Sequence, residues 1–302
     1  MDRRRFLMSA AVAWPLSAAS ASLSAPPAPA QEFPNPAGDD LYKPSVGQPG
    51  KDVVWVPTPD ALARRMLERA KVGSADLVFD LGCGDGKIPI AAARLYGAIA
   101  KGIEYEPGLA ALARRNVERA GLADKVEIIT GDIFDPKLQE RFMRATVITL
   151  YLLPHLNLKL RPSLLAMRPG TRIVSHAFHM SEWEPDDVFA VDGNDAFYWV
   201  VPTKVEGRWA LRANTGWEGT IDLVQRFQRI GGTLTIRGRT QPLLGAFLNG
   251  ETLGFTFVDS DEYVKSVRMT TRGDLAEGAL RFSKFAAPIE GRRQASPGTT
   301  SR

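Results

Sequence analysis

One cysteine and three histidines are all that 302 residues offer toward disulfide chemistry or soft metal ligation. Cys83 alone cannot form an intrachain disulfide framework or a multi-cysteine metal site, so no metal is expected. Basic blocks interleaved with aromatics are also missing. The formal net charge of +4 is spread along the chain, which speaks against nucleic acid as a partner. The mildly apolar stretch through Leu23 is too short and too broken by Ser and Pro to span a membrane. What remains is a globular composition, 44% hydrophobic and 24% charged, enough for one α/β domain and something smaller.

The N-terminus carries a different signal. Asp2-Arg3-Arg4-Arg5-Phe6-Leu7 precedes that apolar stretch, and Ala28-Pro29-Ala30 follows it as an A-x-A cleavage pattern. The order resembles a twin-arginine export signal over residues 1–30, with Arg3 and Arg4 as the pair, and implies a periplasmic protein beginning at Gln31. A signal that does not function would leave the protein cytoplasmic. Residues 31–50, rich in Pro, Ala and Gly, read as a flexible lead-in, with structure beginning near Val53.

From there strands and helices alternate. Thr58 suits a helix N-cap and Pro59 a first helical position, with Leu62, Met66 and Leu67 following at helical spacing. Strands are expected at 77–81, 99–104, 126–130, 146–151 and 172–177, and helices between them at 87–96, 108–120, 136–143 and 156–167. A further buried strand, Phe197 to Val201, would close the sheet. The alternation predicts an α/β domain over 51–202, with a mainly parallel sheet and helices on both faces. Beyond Pro202 short β-prone segments at 209–212, 220–229, 233–237, 243–248, 252–257, 264–269 and 275–282 alternate with turn signals such as Asn249-Gly250. They predict a small antiparallel β-rich sandwich or barrel over 203–286 and a disordered tail over 287–302.

The chemistry gathers around Asp80-Leu81-Gly82-Cys83-Gly84-Asp85-Gly86. A strand ending in Gly-x-Gly-x-Gly lets a ligand touch bare main chain. Its third glycine falls one residue earlier than in the dinucleotide fingerprint G-x-G-x-x-G, and Lys87-Ile88 lacks the hydroxyl residue of a Walker loop. The loop therefore suits an adenosyl ligand without phosphates, of which S-adenosyl-L-methionine is the common one. Glu104, ending the second strand, suits the ribose hydroxyls; Asp132, after the third, suits the adenine amino group. Each acid alone would equally suit a helix cap or a solvated face. Cys83, among glycines and without an evident base, reads as a small packing residue.

These residues resemble the class I, seven-strand, Rossmann-like methyltransferases over 53–201. Val56-Pro57-Thr58-Pro59, the 80–86 loop, Gly102-Ile103-Glu104 and Thr149-Leu150-Tyr151-Leu152-Leu153-Pro154 are similar to prokaryotic relatives of the lysine methyltransferases of ATP synthase subunit c and the adenine nucleotide translocase. The resemblance implies a cofactor site built from Thr58, Asp80, Gly82, Cys83, Gly84, Asp85, Gly86, Glu104, Asp132 and Ile133, with Asp80 near the cofactor's amino-acid end. It also implies a protein-lysine acceptor at a membrane-proximal site. Tyr151 and His155 are placed to line an acceptor channel and Trp55 to cover it, although Tyr151 and Trp55 equally suit a packed core. His176 and His179 read as a structural or solvated pair on opposite faces of a strand end, and Glu182, Trp183 and Glu184 as a loop rimming the cleft. Two other functions stay open: methyl transfer to a small molecule such as a quinone, amine or phenol, and an exported adenosyl-ligand binding protein without turnover.

Overall fold

The computed structural model describes residues 33–34, 38–51 and 54–295; the signal-like residues 1–30 lie outside them. Chain order runs α1 (Asp60–Arg69), β1 (Leu77–Leu81), α2 (Lys87–Tyr96), β2 (Ile99–Glu104), α3 (Pro107–Arg119), β3 (Val126–Thr130), α4 (Pro136–Phe142), β4 (Val147–Leu150), α5 (Pro154–Leu165), β5 (Arg172–His176), β6 (Asp187–Val191) and β7 (Asn194–Val200). These strands form one seven-stranded sheet in the order β3-β2-β1-β4-β5-β7-β6. The first five are parallel, while β7 pairs antiparallel with both β5 and β6.

Period-two alternation sorts the strand residues between two apolar layers. Val78 faces the layer of Leu62, Met66, Leu67, Ile90 and Ala113; Phe79 and Leu81 face that of Leu150, Leu160, Leu164 and Trp199. The chain leaves β1 toward β2 on one side and returns to β4 on the other. The crevice beyond the carboxyl ends of β1 and β4 is thus the topological switch point where open α/β sheets bind ligands.

Three details differ from the sequence reading. Pro59 is the N-cap and Asp60 the first helical residue, because the Thr58 side chain turns away to meet His176 Nδ1 at 3.1 Å. Strand β6 was not expected: Asp-Val-Phe-Ala-Val is short, and its alternate residues are exposed at the sheet edge. With β6 outside it, β7 lies within the sheet rather than closing it.

The second sheet contains β8 (Gly207–Ala213), β9 (Glu218–Arg226), β10 (Arg229–Ile236), β11 (Arg239–Pro242), β12 (Leu244–Asn249), β13 (Thr252–Val258), β14 (Val264–Arg272), β15 (Leu275–Phe282) and β16 (Phe285–Arg293). It is antiparallel throughout, in the order β11-β10-β9-β8-β16-β15-β14-β13-β12. Inward residues from both ends of this order share one core, including Leu234, Ile236, Leu248 and Phe255, and Gln241 Nε2 donates across to the Val258 carbonyl at 2.8 Å. The sheet rolls into a barrel-like body.

Its centre corrects the tail expected from 287, because β16 pairs with both β15 and β8. The strand was hard to see because its inward positions include Ala287 and Gly291, whose alternation with Pro288 and Glu290 is faint in hydropathy. The expected 220–229 strand is instead β9, a turn at Phe227-Gln228 and the start of β10. No glycine or asparagine marks that turn, and Phe227 adopts φ 55° there. Among the described residues no helix is long and apolar enough to cross a membrane.

Candidate functional site

Beyond β1 the glycines meet separate demands. Gly82, Gly84 and Gly86 all have positive φ, at 84°, 56° and 82°, where a side chain is strained. A Cβ on Gly84 would lie 2.7 Å from Trp55 Nε1, so this glycine lets the indole close over the loop. A Cβ on Gly86 would stand 3.2 Å from Ala113 Cβ on α3; Gly86 serves helix packing and does not line the cleft, unlike its expected role. Cys83 does line it, with its buried thiol packed where a Cβ on Gly102 would stand. Burial raises that thiol's pKa well above the usual value, against a nucleophilic role.

The cleft at the switch point has a cavity volume of about 120 Å³. Five acids reach it, Asp80, Asp85, Glu104, Glu106 and Asp132, against Lys51 and Lys87. Glu104 is 9% exposed; its Oε2 accepts from the Gly84 amide at 2.8 Å and Oε1 from the Glu106 amide at 3.0 Å. Those bonds clamp the loop to the end of β2, while burial raises the carboxyl's pKa. Asp80 is buried more deeply, accepts from Thr149 Oγ1 at 2.7 Å, and is pushed up to about 7 by burial, with Glu104 and Asp85 adding repulsion. Asp85 is raised to about 6, chiefly by burial, and its Oδ2 has no hydrogen-bond partner. Lys87 Nζ instead donates to the Thr58 carbonyl at 2.9 Å and to Asp60 at 2.5 Å.

Residues 38–51, read as part of a flexible lead-in, pack as a strap over this cleft. Asp39 pairs with Arg115 at 2.7 Å and with Arg119; the Tyr42 hydroxyl donates to Glu106 at 3.0 Å and accepts from Gln48 at 2.8 Å. Lys51 reaches Asp132 Oδ2 at 2.6 Å. Partial burial raises the Asp132 carboxyl, but Lys51 and the Phe134 amide outweigh that and hold its pKa below the ordinary value. The strap was invisible in composition because the polar pairs that hold it join partners 64 to 81 positions apart.

At the far end Tyr151 lines the cleft together with Leu152, Leu156 and Phe134, and Thr58, Trp55 and Ile133 line it too. His155 is a correction: α5 begins at Pro154, and its next residue is exposed, away from the cleft. His176 was undervalued. Its ring lies 3.7 Å from that of Tyr151, centroid to centroid, while Nδ1 meets Thr58; burial lowers its pKa to about 4, leaving it neutral near pH 7. The sequence showed no sign that 58 and 176 would meet. His179 is exposed, and Trp183 does not rim the cleft but is fully buried, its ring 5.9 Å from that of Trp199 and tilted by 48°. Among the described residues no group of three His, Cys, Asp or Glu side chains could hold a metal ion.

An acid-lined cleft at the switch point, with no phosphate cradle, narrows the relatives to be expected. A family described as the ANTKMT methyltransferase domain matches residues 80–187. A protein-lysine N-methyltransferase of Saccharolobus islandicus is 43% identical over 145 residues, which are 47% of this chain and 88% of that protein. The chain belongs to this family of S-adenosylmethionine-dependent methyltransferases. A release factor glutamine methyltransferase of Geobacter sulfurreducens is 36% identical over 105 residues, 34% of each protein. Among solved structures, an RNA methyltransferase from Salinibacter ruber in complex with S-adenosyl-L-homocysteine shares 46% identity and a TM-score of 0.47, covering 50% of this chain and 96% of that one. The family match ends at residue 187, before the barrel begins.

Proposed function

We propose that this methyltransferase transfers the methyl group to a lysine side chain of a protein. The observation that carries the lysine acceptor is the relative named for that activity, matched over 88% of its length. The cleft supports it: an excess of carboxylates favours a cationic cofactor and a cationic acceptor, and disfavours phosphorylated nucleotides.

The fit to S-adenosylmethionine is chemical. In this reading Glu104 holds the ribose hydroxyls, Asp132 the adenine amino group, and Asp80 and Asp85 face the amino-acid end. Bound there, the cofactor supplies a sulfonium whose methyl carbon is already activated. The chain has to align an amine in line with that carbon and keep water out. Trp55 covers the loop, and Tyr151 with His176 behind it walls the methyl end. A lysine is drawn to the acidic mouth as an ammonium; entering past Tyr151 it leaves bulk water, which disfavours that form, so its proton passes to solvent and the nitrogen lone pair is freed. As the nitrogen–carbon bond forms, the carbon–sulfur bond breaks and its electron pair remains on sulfur.

The test is incubation of the protein with methyl-labelled cofactor and an envelope extract, followed by acid hydrolysis and amino-acid analysis. Label in methylated lysine supports the reading; label only in small molecules or nucleic acid overturns it. Export through residues 1–30 belongs to the same proposal and places the acceptor in the cell envelope.

A further inference from the structure

Nothing so far assigns a task to the barrel. One of its turns packs against the loop between β5 and β6, which in turn contacts Tyr151 of the cleft. Phe227 packs against the apolar layer under β4 and β5, its ring 6.2 Å from Trp183 and inclined by 24°, with the Arg161 guanidinium 6.0 Å away on it. The adjacent Gln228 is buried and donates from Nε2 to the Glu184 carbonyl at 2.6 Å, while Arg229 pairs with Glu184 at 3.1 Å. Between them these residues grip the loop joining β5 to β6.

That loop leads to the methyl end. Arg161 donates to the Met180 carbonyl at 3.0 Å, Asn157 donates to the Phe178 carbonyl at 3.2 Å, and the Phe178 ring is stacked 6.4 Å from Tyr151. The grip is not free of cost. Phe227, Ala177 and Ser181 all have positive φ, and Trp183 Nε1 and Gln228 Oε1 are buried without a partner. A junction selected for stability alone would have a glycine at position 227 and paired polar atoms.

We propose that Phe227 and Gln228 are positioning residues for the methyl acceptor: through this turn the barrel sets the Phe178–Tyr151 wall of the acceptor channel and makes it selective. The inference rests on the reading that the acceptor enters past Tyr151. It assigns the barrel to acceptor recognition, with the cofactor held by other residues.

The test uses full-length protein and two cofactor analogues, titrated by calorimetry. S-adenosylhomocysteine lacks the methyl group; sinefungin carries an amine where the cofactor carries its methylated sulfur, so only sinefungin presents a cation to Tyr151. In Phe227→Gly, which relieves the backbone while removing the ring, and in Gln228→Ala, homocysteine-analogue affinity stays unchanged. Preference for sinefungin falls roughly three- to tenfold as the aromatic wall loses its cation contact. Phe227→Leu restores it in part. An unchanged ratio in every variant, or equal loss of both ligands, would overturn the proposal and leave the turn as packing. Wild-type protein that binds neither analogue would instead overturn the cofactor reading, and this inference with it.

Discussion

A carboxyl group that titrates near neutrality changes what it can bind within the physiological range, and Asp80 is such a group, raised to about 7 mainly by burial. In the ligand-free fold it binds a proton that the unfolded chain releases near its ordinary value. It therefore weighs against stability as pH rises from about 4 to 7. A cation beside it reverses that. Affinity for S-adenosylmethionine should accordingly rise between pH 6 and pH 8, with a shallower rise for uncharged-sulfur S-adenosylhomocysteine. Asp80→Asn should lower the affinity and flatten the profile; calorimetry at three pH values checks both. The residue types here were legible: loop, Glu104 and Asp132 stand out because strand ends and acids recur at fixed spacing. Lys51 and His176 were not, since a lysine in a polar stretch and a strand-end histidine acquire partners 81 and 118 positions away only once the chain has folded.

Among the elements, the strap has the least sequence signal and the most direct access to the cofactor site. Lys51 occupies Asp132, the acid assigned to adenine, so a ligand has to displace it. The pair is partly exposed, 41% and 31%, and such pairs contribute about 0 to 1 kcal/mol. Lys51→Ala should therefore tighten cofactor binding by a few-fold; weaker binding would show that the lysine closes the strap over the ligand instead. The five parallel strands were legible because each is a compact apolar run between helices. Strands β6, β11 and β16 were not: the first two are short edges, and the third hides its inward face in alanine and glycine. The turn at Phe227 was missed for a related reason, since tertiary packing holds a backbone shape that sequence would assign to glycine.

For the whole molecule, two bodies with different grammars pack together, and the acid-lined cleft lies wholly in the first. The family match lies within the first, over residues 80–187, and the barrel adds its grip on the loop after β5. Export proposed for residues 1–30 is checked by replacing Arg3 and Arg4 with lysine and fractionating cells: loss of the periplasmic species is the expected outcome, and unchanged export excludes the twin-arginine route. The central claim is that the acid-lined cleft holds S-adenosylmethionine through Glu104, and calorimetry tests it most directly. Wild-type protein should bind that cofactor and reject ATP, and Glu104→Ala should weaken binding by roughly 2 to 4 kcal/mol through lost ribose hydrogen bonds and a loosened Gly84 loop. Equal affinity in wild type and Glu104→Ala, or a preference for ATP, would contradict the account.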